Sequence, residues 1–512
     1  MVLLQARDES ARTVSRAGFL ATPARLRTFA IGMGFVTTLL AAIGSWIPSL
    51  WGDEAASVMS AERSLPSLFR MLGHVDAVHG TYYLFLHFWI GAFGASPFSV
   101  RFPSAIGAGL AVAGVIVLAN RLAGPRVAIF SGIAGAILPR IMYAGSEARG
   151  YAFSAAAVVW LTYLLVRLVQ SRTPGKWLWV LYAGGVALSG YIFLFDLLIL
   201  IPHAIYFFMA SRSNIRRWAL ATGAGLLLAL PVIAYGIGER AQVAFLTRRT
   251  AATFISSTVT PWFGNSDFAM LGWAFVLVAA GVSIRAWLRT RRTRPHGPDR
   301  TLRAPGLVPL ALMWLLVPGG ILLTINIFHA IYSSRYLTFT APAAALLIGW
   351  LLGQINRKWV IAVLIAALVT LSWTSYQAQR TPYAQNGSDW AAIGAVIHAH
   401  AEPGDAVLFD EGTKPSKLPR LAERIYPQDF AGLQDVGLKT PWYRTNNWRD
   451  TSYPLDDVTS RLAGVHTVWM VEYRTPHGTA DTYDIATLHA LGFTQVGEYA
   501  EHSSVVMKFL SS

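Results

Sequence analysis

Apolar runs of about 20 residues, the length needed to cross the hydrocarbon of a bilayer, recur along this chain and stop near residue 376. A segment held in hydrocarbon must satisfy its own backbone hydrogen bonds, so runs of this kind fold as helices. They fall at 29–49, 99–120, 127–145, 151–168, 177–190, 191–210, 218–237, 269–287, 305–326, 336–353 and 359–376. This spacing predicts an α-helical polytopic membrane protein of about eleven crossings.

The charge pattern agrees with that reading. The chain has 42 basic and 27 acidic residues, a formal charge of +15 that in one patch would suit nucleic acid. Instead the basic residues sit in short clusters between the apolar runs: Arg25 and Arg27; Arg121 and Arg126; Arg167, Arg172 and Lys176; Arg212, Arg216 and Arg217; a long run within 285–303; and Arg357 with Lys358. Clusters of this kind mark cytoplasmic loops and leave no case for a nucleic-acid partner. With a cytoplasmic N-terminus and eleven crossings, every cluster falls inside. The first run is too long for a signal-peptide core and reads as a retained anchor. The chain has no cysteine, which excludes disulfides and thiolate metal sites.

One segment has to stay out of the count. Residues 82–94 (YYLFLHFWIGAFG) are apolar but too few to span, and counting them would put every later basic cluster on the wrong face. They are read as an interfacial helix. The same parity places 50–98, 146–150, 238–268 and the tail outside. The predicted organisation is a transmembrane domain, 1–376, with a first outer loop at 50–98, and a soluble outer domain, 377–512. In the tail, strand-like runs at 406–410, 467–473, 493–499 and 504–510 alternate with helical stretches at 390–401 and 482–491, which predicts a small α/β domain. It has no phosphate-cradling glycine fingerprint.

Chemistry-bearing residues collect on the outer face. Asp53 and Glu54 follow the first apolar run directly, either as paired carboxylates for chemistry or as the solvated first turn of a surface helix. The same loop carries Asp76 and His79, an Asp/His set that could hold a divalent ion or be ordinary loop polarity. Ser146-Glu147-Ala148-Arg149-Gly150-Tyr151 joins two helices at the outer rim; Glu147 and Arg149 either serve function or cap the junction. Arg335 and Tyr336 begin another helix at headgroup height, where they could bind a lipid-linked anion or anchor the interface. Asp196 is a lone acid in an apolar run, and Glu239, Arg240, Arg248 and Arg249 occupy the 238–268 loop. Basic residues that persist outside, against the usual bias, suit an anionic ligand.

Taken together, these places resemble the GT-C superfamily of membrane glycosyltransferases. The resemblance rests on Trp51-Gly52-Asp53-Glu54-Ala55; on Asp76-Ala77-Val78-His79-Gly80-Thr81-Tyr82-Tyr83 followed by Arg101-Phe102-Pro103-Ser104; on Ser146 to Tyr151; and on Arg335-Tyr336 with Pro342. It covers about residues 25–375 and is closest to the protein-mannosyltransferase-like branch (glycosyltransferase family 39-like), in particular actinobacterial polyprenyl-phosphate-mannose-dependent mannosyltransferases. It implies an inverting transferase of the bacterial plasma membrane. Such an enzyme moves a sugar, mannose first, from a polyprenyl-phosphate donor to a lipoglycan, polysaccharide or protein acceptor on the periplasmic side. Arabinose or aminoarabinose is the alternative sugar.

On the same resemblance Asp53 is the general base, Glu54 orients the acceptor or assists a metal, and Glu147 is a further acid. Arg149, Arg335, Tyr336 and Arg240 bind the donor phosphate. Asp76, His79, Tyr82 and Tyr151 contact the sugar, the acceptor or a divalent cation. Aminoarabinose-transferring relatives show a Glu-Lys pair in the first loop and an Asp in the second, where this chain has His79 and Glu147-Ala148-Arg149, so metal and sugar stay open. A flippase for lipid-linked sugars is the rival. It calls for charges facing each other at mid-membrane and for half-repeats, and the sequence shows no clear repeat.

Overall fold

Glycine and proline decide where the first helix stops. In the computed structural model, which describes residues 22–243, 246, 250, 253–292, 306–474 and 483–512, helix α1 (Pro23–Ala42) ends before its apolar run does. Gly44 takes φ +74°, a left-handed conformation suited to glycine, and Pro48 lacks the N–H that a helix needs. The expected span at 29–49 is therefore shifted toward the N-terminus. The acidic pair opens a separate helix, α2 (Gly52–Ala61), rather than marking the exit of the first. Helices α3 (Leu65–Leu72), α4 (Gly80–Phe93) and α5 (Pro97–Ala123) follow. At 14 residues, α4 is about 21 Å long, short of the hydrocarbon thickness. Arg248, Arg249 and the basic residues within 293–305 lie outside the described residues.

The molecule is a mostly helical, multi-pass membrane protein. Among the described residues six helices are long and apolar enough to cross a membrane: α5, Tyr151–Gln170, Ser266–Arg289, Leu307–Phe328, Ser334–Gln354 and Lys358–Ala378. Two bent pairs, Pro125–Ile137 with Pro139–Gly145 and Ile215–Leu228 with Leu230–Gly238, raise this to eight if each pair is one span. The other apolar runs form α1, which carries Arg25 and Arg27, and the shorter helices Lys176–Ile192 and Leu194–Ala210. The 58° bend of the first pair has a plain cause. Leu138 precedes Pro139, which disfavours helical backbone there, and Leu138 is extended at ψ 118°.

The chain divides into two compact units. One comprises the chain to Ala42, Ser104–Ser146 and Gly150–Tyr376; the other comprises Ile43–Pro103, Glu147–Arg149 and Gln377–Ser512. In the first, small residues let helices approach closely: a Cβ at Gly349 would overlap the backbone of Ser131. A buried polar chain adds to the packing, with Thr162 Oγ1 3.0 Å from His203 Nε2, Tyr182 OH 3.1 Å from His203 Nδ1, and Trp218 Nε1 donating to Tyr182 OH. Large apolar side chains such as Ile31 and Leu220 stay exposed on these helices, as a lipid-facing surface requires.

The second unit is built around a five-stranded mixed sheet ordered β2-β1-β5-β7-β6, from β1 (Ala406–Phe409), β2 (Gln434–Asp435), β5 (Thr467–Tyr473), β6 (Phe493–Ala500) and β7 (Ser504–Ser511). A separate short hairpin pairs β3 (Leu438–Thr440) with β4 (Thr451–Ser452). β1 runs parallel to both β2 and β5, whereas β7 is antiparallel to both β5 and β6. Val468, Met470, Val505, Met507 and Phe509 fill one side of the sheet with Leu455, Leu462 and Leu488. Residues 50–63 pack on this region. Leu50 N–H donates to Tyr426 OH at 3.0 Å, and buried Arg63 donates to the carbonyls of Trp442, Thr445 and Asn447.

Candidate functional site

Helix α2 begins without a side-chain cap, its N-cap Trp51 extended and Asp53 and Glu54 in the first turn. Carboxylates here suit the positive end of the helix dipole. The two then part company. Asp53 is half-buried, while Glu54 is 0% exposed.

Glu54 is clamped by Arg101 from α5. Arg101 Nε donates to Glu54 Oε1 at 2.7 Å and Nη2 to Oε2 at 2.6 Å, a planar fork on a planar carboxylate. The remaining guanidinium hydrogens go to the carbonyls of Ser45, Pro48 and Ser49. Glu54 Oε1 also accepts the Ala148 N–H at 2.8 Å. One buried ion pair thus ties together the 45–49 turn, α2, α5 and the short segment carrying Glu147 and Arg149. Arg101 is the residue that sequence reasoning left without a role. Its only signal was the Arg-Phe-Pro-Ser motif, because its partner lies 47 positions away.

Arg149 belongs to the same short segment as Ala148. Its Nη1 lies 3.2 Å from the Asp53 carbonyl, Ser57 Oγ and Tyr83 OH, and its Nη2 lies 3.0 Å from His79 Nε2. Tyr83 OH donates to Asp76 Oδ2 at 3.1 Å. Asp76 itself adopts φ +60°, a left-handed conformation that marks strain in a residue other than glycine. Loss of water holds the Asp76 carboxyl above its ordinary range; Arg149 and the Tyr83 hydrogen bond oppose this, and the Asp53 charge adds to it. Burial likewise holds the Tyr83 phenol well above its ordinary range, so it remains a donor.

The expected residues therefore fall into two groups. Asp53, Glu54, Asp76, His79, Tyr82, Glu147 and Arg149 belong to the unit containing the sheet. Within it Tyr82 is buried in α4 and Glu147 is 0% exposed. Tyr151, Arg240, Arg335 and Tyr336 belong to the helical unit. There Tyr151 meets Phe193 edge-on at 5.4 Å, and Tyr336 packs on Phe193 and Phe195. Arg335 opens the 3-10 turn Ser334–Thr340, and Arg240 is exposed. In the same unit Arg140 donates to Thr338 Oγ1, and Asp196 accepts from Ser154.

A divalent cation does not fit the Asp/His set. No group of three or more metal-ligating side chains occurs among the described residues. His79 presents Nε2 to the Arg149 guanidinium, so an ion at that nitrogen would sit against a fixed positive charge.

A mostly helical, multi-pass bundle with a small C-terminal sheet region matches the fold of GT-C membrane enzymes. The chain is similar to ArnT from Cupriavidus metallidurans bound to undecaprenyl phosphate, with a TM-score of 0.60 at 14% identity over 94% of this chain and 98% of that one. Its similarity to the apo state of the same protein has a TM-score of 0.58 at the same identity and coverage. Arabinofuranosyltransferase AftD from Mycobacteria aligns over 95% of this chain and 42% of its own, at 14% identity and a TM-score of 0.48. Residues 81–235 match the family described as dolichyl-phosphate-mannose-protein mannosyltransferase. No curated protein sequence matches it.

Proposed function

We propose that this chain is an inverting glycosyltransferase that moves a sugar, mannose in our reading, from a polyprenyl-phosphate donor to a glycan, lipoglycan or protein acceptor on the outer face of the bacterial plasma membrane. The single observation that carries it is the Arg149 guanidinium, fixed against the main-chain carbonyl of Asp53, Ser57, Tyr83 and His79, with its charge acting on the Asp76 carboxyl. A fixed cation next to a base is what displacement of a phosphate by a hydroxyl needs.

In this reading the acceptor hydroxyl gives its proton to Asp53 as its oxygen bonds to the anomeric carbon. The bond from that carbon to the phosphate oxygen breaks on the opposite face, and polyprenyl phosphate leaves with the electron pair. Arg149 meets the charge that develops on the phosphate; Arg335, Tyr336 and Arg240 are our further candidates for binding the lipid phosphate. Glu54 and Arg101 hold the helix start and the Arg149 segment in register, and Glu147 is a further acid of that segment. Asp76, His79, Tyr82 and Tyr151 shape the sugar and acceptor side. No step uses a metal. The undecaprenyl phosphate bound to the similar ArnT supports a lipid-phosphate donor here.

The test is transfer from labelled polyprenyl-phosphate mannose, arabinose and aminoarabinose to candidate envelope acceptors by the purified chain. Asp53→Asn is expected to abolish transfer while donor binding stays within about twofold. A fully active variant overturns the assignment. Transfer from the arabinose or aminoarabinose donor alone replaces mannose but keeps the mechanism.

A further inference from the structure

We infer that His79 is a positioning residue for the Arg149 guanidinium, acting as a neutral imidazole with its proton on Nδ1, an inference that rests on the glycosyltransferase reading above. Arg149 Nη2 lies 3.0 Å from His79 Nε2. A guanidinium has only donors to offer, so in this pair the imidazole nitrogen accepts. A ring that accepts at Nε2 keeps its single proton on Nδ1, and a doubly protonated ring cannot make the contact at all.

The local fold presents the ring for this task. Asp76, in its left-handed conformation, starts the short turn Ala77–His79, whose last residue is also the N-cap of α4. The His79 side chain does not cap that helix, so capping does not account for it. Tyr83 follows four residues on, along the same face of α4, with its ring centroid 6.0 Å from the imidazole. Together they form a clamp: Tyr83 OH accepts from Nη1 at 3.2 Å while His79 accepts from Nη2. The Tyr83 hydroxyl gives its own proton to Asp76 Oδ2, which leaves its oxygen to accept from Arg149. From α2, the Asp53 carbonyl and Ser57 Oγ also receive Nη1. A planar guanidinium gripped at both terminal nitrogens is fixed in rotation as well as in place.

The same contact makes the clamp sensitive to acid. A second proton on His79 removes the acceptor and sets two cations against each other where the hydrogen bond was. The groups facing this pair are Tyr83 and, through it, Asp76, on which the Arg149 and Asp53 charges act. Tyr83 stays a neutral phenol. Asp76, whose carboxyl is held above its ordinary range, loses negative charge as pH falls. Neither offsets the new charge, so the grip on Arg149, and with it donor binding, weakens toward acid pH.

The test uses the full chain in nanodiscs and polyprenyl-phosphate mannose as the binding probe, because a phosphodiester does not titrate near neutral pH. Histidine 15N spectra, with His79→Gln to assign the signal, are expected to show Nε2 of His79 unprotonated and Nδ1 protonated at neutral pH. His79→Gln, whose side-chain carbonyl can replace Nε2 as acceptor, is expected to keep the donor Kd within about threefold at neutral pH. It is also expected to abolish the rise of that Kd as pH falls to about 5.5, across the range where histidine titrates. His79→Ala is expected to raise the Kd about tenfold or more, with the acceptor KM within about twofold. The inference is overturned if the ring is charged or carries its proton on Nε2 at neutral pH, if His79→Ala binds donor like the wild type, or if His79→Gln keeps the acid-side rise. Transfer that persists with donor binding indifferent to His79 removes the clamp and keeps the enzyme. Donor binding that follows His79, without transfer to any acceptor, keeps the clamp and removes the enzyme.

Discussion

Glu54 and Asp53 are neighbours in sequence with opposite surroundings. Glu54 is fully buried with both oxygens engaged by Arg101, so removing its charge strands a guanidinium away from water. Glu54→Gln is expected to cost about 3–5 kcal/mol, the usual loss when one partner of a buried pair is removed. Arg101→Lys is expected to recover only part of the stability lost by Arg101→Ala, because an ammonium cannot reproduce the fork. Thermal unfolding of the full chain in nanodiscs measures both. Asp76 gives the pH test. Its carboxyl lies above the ordinary range in the fold, so the native state holds a proton that the unfolded chain has released. Stability contributed by this group is therefore greatest at low pH and falls as pH rises from the ordinary aspartate value through the raised one. Asp76→Asn is expected to flatten that fall when unfolding is followed from pH 4 to 8. An unchanged slope assigns the pH dependence elsewhere.

At the scale of elements, the contact between the turn after α2 and the 441–449 loop turns on Arg63, which is 1% exposed. Its guanidinium serves three loop carbonyls and Ser67 Oγ, and it stacks over Trp442 at 5.4 Å. Arg63→Met keeps the stem and removes the donors, with an expected loss of about 2–4 kcal/mol. Proteolytic cutting within 441–449 should rise before global unfolding; a loop that stays resistant removes Arg63 as its anchor. The longer strands were readable because a pattern needs several residues to show: the run expected at 467–473 is β5 (Thr467–Tyr473), a continuous apolar strand, and that at 493–499 is β6, which alternates, with one residue more. β2 and β4 have two residues each, too few for any period, and only their pairing reveals them. The early stop of α1 was written in Gly44 and Pro48, but the apolar run masked it. The Glu54–Arg101 pair could not be read at all, since nothing local links residues 47 positions apart.

For the whole molecule, the expected sidedness rests on basic clusters alone, and the absence of cysteine makes it directly measurable. With single cysteines at Asn356 and His502, a membrane-impermeant maleimide should label His502→Cys in intact cells and Asn356→Cys only after permeabilisation. The opposite pattern would invert the proposed orientation. The fold was legible from motif order and hydropathy, whereas the grouping of Ile43–Pro103 and Glu147–Arg149 with Gln377–Ser512 was not, because it depends on contacts across hundreds of residues. The strand order carries its own consequence for biosynthesis. β7 is the last strand to leave the ribosome, yet it fills an interior place between β5 and β6. Until it arrives, those two strands have open edges toward each other; β7 closes on β6 through a short hairpin and on β5 across a longer stretch of chain. The sheet of the region on which residues 50–63 pack is thus completed late, after the helices before it have been made. Until that late strand is in place, the neighbouring edges of β5 and β6 stay open to pairing with other chains.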